Sequence, residues 1–429
     1  MKTPVRVLAL IDQAIVSAAS FVATVIVARF GGATDLASYS IATSILLLLV
    51  GAQNSVVVLP YIIRRRHHEH NSTAHAGSTL VLNLGLAVSA FLILGVVAAL
   101  LVLADAGDVV WLAFALAFAG PATIAREFAR RYAFAHLQIA RALEVDIATV
   151  VLQLSALFIL GRIGWLSAQT AIITFGAACL ASAGLGFART RREFNLHIKG
   201  IGADLNESWS HGRWLLVNQV IGNLSGYAPI WLAALILGST ATGILAACTS
   251  IVAIANPLIF GLDNILAPRL SDALTSSGSR GLFDETLRST LIIGAVMIAV
   301  VLMIWFGGAA LMELFYPAAE FSGTHDILIA LALGTAALAF TLPATSALAV
   351  TERTRDVVLT GLVALAVMIT AMLTLTPQFG IMGIALASLL GNVCCLGLRW
   401  ALLLRSMNRL AVPRSANGPT GKAMPEPQR

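Results

Sequence analysis

Twelve apolar runs, bounded by short polar or turn segments, follow one another along the chain: 9–30, 36–62, 78–103, 109–126, 142–160, 167–188, 211–237, 243–266, 289–311, 326–350, 357–376 and 380–404. A helix needs about 20 predominantly apolar residues to cross the hydrocarbon core of a bilayer. Twelve such runs use up almost all of the 429 residues and leave no room for a sizeable soluble domain. Composition agrees. The chain is 58% hydrophobic and 11% charged with a mean hydropathy of +0.88, against about 25% charged residues in soluble domains. The 35 glycines show no period and the four cysteines lie scattered in apolar runs, which excludes collagen-like, disordered and disulfide-scaffold classes. The expected fold class is an all-α polytopic membrane protein of about twelve transmembrane helices. Residues 7–30 read as a retained first span, because no convincing cleavage site follows them.

The loops alternate in charge. An even number of spans puts both termini on one side, together with RRRHHEH (64–70), REFARR (126–131), RTRREFNLHIK (189–199), PRLSDALTSSGSRGLFDETLR (268–288) and TERTRD (351–356). Of the 27 Lys and Arg residues, only Arg29 and Arg162 fall on the other side, leaving 25. Cytoplasmic loops carry the excess of basic residues, so both termini are expected in the cytoplasm. The net charge of +6 is thereby read as orientation and not as nucleic-acid binding. Cys179, Cys248, Cys394 and Cys395 all lie within spans, as packing residues without a disulfide. Residues 411–429, rich in Pro, Gly and charge, read as a disordered cytoplasmic tail.

A repeat runs through this pattern. GATDLASYSIATS (32–44) and GSTATGILAACTS (238–250) align without gaps, matching Gly32 with Gly238, Thr34 with Thr240, Thr43 with Thr249 and Ser44 with Ser250. One joins the first pair of spans, the other the seventh pair. Two pseudo-symmetric six-helix bundles follow, 1–200 and 201–410. Transport folds built from repeats bind substrate between them.

Polar side chains within spans are costly and usually face a protein interior or a wet cavity. Gln13, Ser17, Ser20 and Thr24 share one helical face; Trp214, Asn218 and Ser225 form a second, beside Asn223 and Tyr227; Thr249, Asn256 and Asp263 a third; and the second span ends in Gln53 and Asn54. Pro257 is expected to kink the helix beside Asn256. Hydroxyls in such helices mostly bond their own backbone. Gln13, Asn54, Asn218 and Asn256 either line a cavity or tie helices together, and Asp263 either snorkels, pairs with Arg269, or serves the cavity. The cations near the membrane are Arg29, Arg141 and Arg213; Arg141 has Glu144 one turn away as an intrahelical partner, and Asp12 lies close to Arg6. His67, His68, His70 and His75 beside three arginines read as a solvated loop face, not a metal site.

Catalytic signatures are missing. There is no GxxxxGK[ST] phosphate cradle, SSGSRG (276–281) lacking both spacing and Lys, and no HExxH or GxSxG. No cofactor is implied, and the chain reads as a mover of molecules, not an enzyme.

IDQAIVSAASFVATVIVARFGGATDLASYSIATS (11–44), REFARRYAFA (126–135), HGRWLLVNQVIGNLSG (211–226) and PRLSDA (268–273) resemble the bacterial polysaccharide flippases of the multidrug/oligosaccharidyl-lipid/polysaccharide exporter superfamily, over nearly the whole chain. The resemblance implies an inner-membrane protein that moves an undecaprenyl-diphosphate-linked oligosaccharide from the cytoplasmic to the periplasmic leaflet, for exopolysaccharide or O-antigen synthesis. Its implied partners are that lipid-linked substrate, membrane lipids, and the polysaccharide polymerase and export proteins. A cationic cavity would hold the sugar-diphosphate head, a role falling on Arg29 and Arg213, with Asp12, Gln13, Asn54 and Asn218 as polar lining; Asn256 joins them from the stripe above. The seventh span, reading SGYAPIWLAA (225–234), departs from many relatives in lacking an acidic residue. The rival readings are a cation-coupled multidrug exporter of the same superfamily and a membrane-embedded glycan polymerase or acyltransferase. The first would need a carboxylate in the cavity; the second, a large outer loop or a His/Arg constellation.

Overall fold

The computed structural model describes residues 3–64, 72–194 and 201–411, which are helical apart from short turns. In chain order the helices are α1 Thr3–Gln53, α2 Leu59–Arg64, α3 Ser72–Leu103, α4 Asp108–Ala135, α5 Ile139–Arg162, α6 Ala168–Thr190, α7 Ile201–Ile236, α8 Ser239–Val252, α9 Asn256–Phe315, α10 His325–Val350, α11 Thr354–Phe379 and α12 Ile381–Ala411. A π-helical turn, Asn54–Val58, precedes α2, and a 3-10 turn, Ala253–Ala255, precedes α9. Both irregularities sit just before a proline, Pro60 and Pro257, whose missing N–H breaks the i to i−4 ladder.

Among the described residues eleven helical stretches are long and apolar enough to cross a membrane, and they amount to twelve spans. The stretch Ile11–Ile62 is one helix by hydrogen bonding, but Gly32 inside it has φ 74° and ψ −173°. That conformation is open only to glycine, and it folds α1 into a hairpin of two spans. The hairpin's two ends meet the same part of α4: Asp12 bonds Arg130, and Gln53 bonds the Ile124 carbonyl. The 60-residue α9 is likewise broken at Gly278 (φ 63°, ψ −150°), which separates the eighth span from the ninth.

Apolar side chains turn outward as well as inward. Leu103, Phe306 and Leu235 are 83, 82 and 80% exposed, while alanines such as Ala23, Ala119, Ala233 and Ala332 make the tight interior contacts. This is the burial pattern of a multi-pass membrane protein, in which large residues meet lipid and small ones let helices approach. At Gly176 on α6, an added Cβ would sit 2.9 Å from the Ala119 Cα of α4.

The two six-helix bundles are pseudo-symmetric in backbone detail. Gly32 and Gly238, matched in the repeat, have nearly the same torsions (φ 85°, ψ −176° at Gly238). Leu137, in the turn from α4 to α5, and Glu352, in the turn from α10 to α11, are both left-handed at φ 57° and 61°.

Two expected loops are helices. REFARR (126–131) is the last third of α4, and 268–288 is helical on both sides of Gly278. The basic run 65–70, most of the histidine cluster and the tail after Ala411 lie outside the described residues.

Candidate functional site

Arg126 and Arg130 are four residues apart on α4 and therefore project from one face. Both are 9% exposed and reach Asp146 of α5, which is fully buried. Arg130 donates to Asp146 Oδ2 at 2.6 Å through Nε and to Asp12 Oδ2 at 2.9 Å through Nη2; Arg126 donates to Asp146 Oδ1. Glu127 accepts from Arg131 at 2.7 Å and lies 3.3–3.4 Å from the other two arginines. Three carboxylates thus meet three guanidinium groups across α1, α4 and α5. Charge balance of this kind makes the burial tolerable. Two buried atoms in the cluster, Asp12 Oδ1 and Arg126 Nε, have no hydrogen-bond partner among the described residues.

The bundles meet where α7 approaches the second span, a Cβ on Gly51 lying 2.6 Å from Asn223 Nδ2, and again at the end opposite the termini. Arg29 donates through Nε to the Phe315 carbonyl at 3.0 Å, and through Nη2 to the Leu314 carbonyl, so a guanidinium of the N-terminal bundle caps the last turn of α9. In return Glu320 accepts from the Ala33 N–H at 2.8 Å, capping the span that begins after Gly32. Each charge sits at the helix end that its sign favours. Phe21 packs edge-on to Phe315 at 4.9 Å, and Trp231 donates to Ser44 Oγ at 2.8 Å. At the centre of this seam α8 touches α1 so closely that a Cβ on Gly243 would overlap the Ala33 carbonyl.

The residues singled out in the sequence divide into four groups. Asp12 belongs to the buried ionic cluster and pairs with Arg130, whereas Arg29 belongs to the distal seam. Gln13, Asn54 and Asn256 are half-buried and make no hydrogen bond through their side chains to a described residue; Asn54 opens the π-helical turn and Asn256 opens α9. Arg213 and Asn218 lie on α7 by their backbone, but their side chains are outside those described. Asp12 and Arg29, near opposite ends of the first span, take part in separate contacts. Two pairings differ from expectation: Arg141 bonds Glu193 and Gln138, and Glu144 pairs with Arg189. Gln53 is fully buried and bonds Asn83 and the Ile124 carbonyl, each at 2.7 Å, within the N-terminal bundle.

One further cation stands inside the C-terminal bundle. Arg399 of α12 is half-buried and donates to the hydroxyl oxygens of Thr345 (2.8 Å), Thr341 (3.4 Å) and Thr360 (3.5 Å). Each hydroxyl uses its own proton on its helix backbone, so all three present lone pairs to the guanidinium. No carboxylate among the described residues pairs with it; the nearest acid in sequence to Thr360, Asp356, is bonded to Arg353. Among the described residues no cluster of His, Cys, Asp and Glu could hold a metal ion.

No family model matches the sequence, and no curated protein matches it. Solved structures do resemble the chain. The inward-facing conformation of a multidrug resistance MATE family transporter of the MOP superfamily superposes with a TM-score of 0.77 at 15% identity, covering 96% of this chain and 99% of that one. The outward-facing conformation of a transporter of the same description gives 0.68 at 14% identity, over 95% of both chains. The Vibrio cholerae MATE transporter VcmN in its bent form gives 0.58 at 15% identity, over 95% of this chain and 99% of that one. At such identities the likeness is one of fold, two lobes of six helices.

Proposed function

We propose that this chain is a bacterial inner-membrane flippase that carries an undecaprenyl-diphosphate-linked oligosaccharide from the cytoplasmic to the periplasmic leaflet. It would do so by alternating access, with bundles 1–200 and 201–410 rocking about the seam between them and both termini in the cytoplasm. The neighbours known in both inward- and outward-facing forms support the rocking. Of the two forms, the inward-facing one superposes better on this chain.

The observation that carries the choice of cargo is the charge inventory within the spans. The carboxylates of Asp12, Glu127 and Asp146 are all committed to arginines, while Arg399 has no described carboxylate of its own. An uncompensated cation in low dielectric favours an anionic cargo, and a diphosphate is one. Such a protein makes and breaks no covalent bond.

The fold serves a cation-coupled multidrug exporter equally well, and that reading would draw on the unpartnered Oδ1 of Asp12. Deleting the gene separates the two. A flippase predicts lipid-linked repeat units trapped in the cytoplasmic leaflet, out of reach of a periplasmic probe. Repeat units reaching the periplasm normally, with raised sensitivity to cationic drugs, would establish the exporter.

A further inference from the structure

The two bundles treat corresponding positions differently. Leu137 and Glu352 occupy equivalent turns and share a left-handed backbone, so they set the register between α4–α5 and α10–α11. Counting back eleven and seven residues from Leu137 reaches Arg126 and Arg130; the same steps from Glu352 reach Thr341 and Thr345. Counting forward nine reaches Asp146 in one bundle and Gly361 in the other. The arginines that bond Asp146 are therefore replaced by the two threonines that bond Arg399, and the carboxylate is replaced by a hydrogen atom.

Gly361 leaves room for a Cβ beside Arg399, and no described carboxylate answers that charge. A Cβ on Gly361 would lie 3.8 Å from Arg399 Nη2 and 3.5 Å from the Ile221 side chain of α7, ordinary contact distances. Arg399 Nε and Nη1 are the atoms that reach the threonines; Nη2 donates to no described residue. Arg399 lies about 9 Å along α12 before Arg405, toward the C-terminal end of that helix. In the N-terminal bundle the protein itself provides the anion. In the C-terminal bundle it provides only the cation and neutral acceptors.

We propose that Arg399, with Gly361 leaving room beside it, forms an anion-binding subsite that takes a phosphate group in the place that Asp146 fills in the other bundle. The assignment rests on the flippase reading for the source of that phosphate, the diphosphate of a lipid headgroup, but the subsite is defined by its own residues. Arginine suits it, because its planar fork bonds two phosphate oxygens at once and keeps its charge in low dielectric.

The test uses the full-length protein in nanodiscs and reads binding from the fluorescence of Trp400, which adjoins Arg399. One arm titrates inorganic phosphate and pyrophosphate; the other compares nanodiscs containing undecaprenyl diphosphate with nanodiscs containing undecaprenol. Arg399→Gln should weaken phosphate binding about ten-fold or more, the scale of losing a charged hydrogen bond, and Arg399→Lys should weaken it less. Gly361→Asp rebuilds the internal carboxylate and should abolish binding with the guanidinium still in place, while Gly361→Ala should bind as wild type. Because Gly361→Ala and Arg399→Lys perturb packing little, unfolding of Arg399→Gln would not obscure the result. Saturation by the undecaprenyl diphosphate discs alone identifies a lipid headgroup; saturation by inorganic phosphate as well identifies free phosphate as a ligand. Unchanged binding in both Arg399→Gln and Gly361→Asp, or no phosphate binding by the wild type in either arm, would overturn the subsite. Leaflet transfer by the wild-type protein is read separately and decides the flippase reading independently.

Discussion

Arg29 and Phe315 are 286 residues apart in sequence, yet the guanidinium of one donates to the carbonyl of the other at 3.0 Å. The bond joins the end of the first span to the end of the ninth, and Glu320 returns it by capping the Ala33 N–H. The two contacts hold the distal seam shut through helix-end electrostatics that depend on the bundles being close. In the proposed alternating-access cycle they would be lost when the seam opens.

Removing them should therefore shift the conformational equilibrium and leave the fold intact. A charge at a helix terminus is worth roughly 0.3–1 kcal/mol, rising to about 2 when partly buried. Arg29→Ala combined with Glu320→Ala is expected to raise the distally open population by about ten-fold, as 1.4 kcal/mol corresponds to a factor of ten. Modification of Ala33→Cys by an impermeant maleimide added from the distal side measures this. A modification rate equal to that in the protein with both charges intact would show that the pair is not a latch.

Two glycines make opposite predictions. Gly243→Val places a side chain where the Ala33 carbonyl lies, between the bundles. It should disfavour the closed seam and speed the same maleimide reaction with little change in thermal stability. Gly176→Val instead wedges α6 away from Ala119 inside one bundle. Overpacking of this kind typically costs about 1–3 kcal/mol, so it should lower the melting temperature without opening the seam.

Asp146 should be a stability residue. It is fully buried and joined to both Arg126 and Arg130. Breaking a buried ion pair on one side costs roughly 3–5 kcal/mol, so Asp146→Ala should sharply reduce the melting temperature or yield of detergent-purified protein. Adding Arg126→Leu alone should recover part of the loss, because Arg130 and Arg131 then still face Asp12 and Glu127 and no charge is stranded. A double variant no more stable than Asp146→Ala would contradict the assignment.

Much of this architecture was legible in the sequence. The hydropathy runs and loop charges lead to twelve spans, and the alignment of Gly32 with Gly238 is matched by near-identical torsions at the two turns. The candidate site was harder to read. REFARR looked like a solvated loop because a run of charges usually is one. Its arginines are buried only because Asp12 and Asp146, distant in sequence, come to meet them, and no local pattern announces such pairing. Arg29 was visible as a membrane cation, but that it caps α9 depends on the meeting of the bundles. Arg399 is inconspicuous in its apolar run; its signal is the glycine at 361 where the other bundle has Asp146, which appears only once Leu137 and Glu352 fix the register.

The most direct test is purified protein in proteoliposomes, with a fluorescent undecaprenyl-diphosphate-linked oligosaccharide in both leaflets and a membrane-impermeant quencher added outside. The flippase account predicts that quenching passes the half-way plateau of protein-free vesicles and approaches completion as inner-leaflet lipid is carried out. A plateau that stays at one half, in vesicles where the same protein moves a cationic dye, would contradict it.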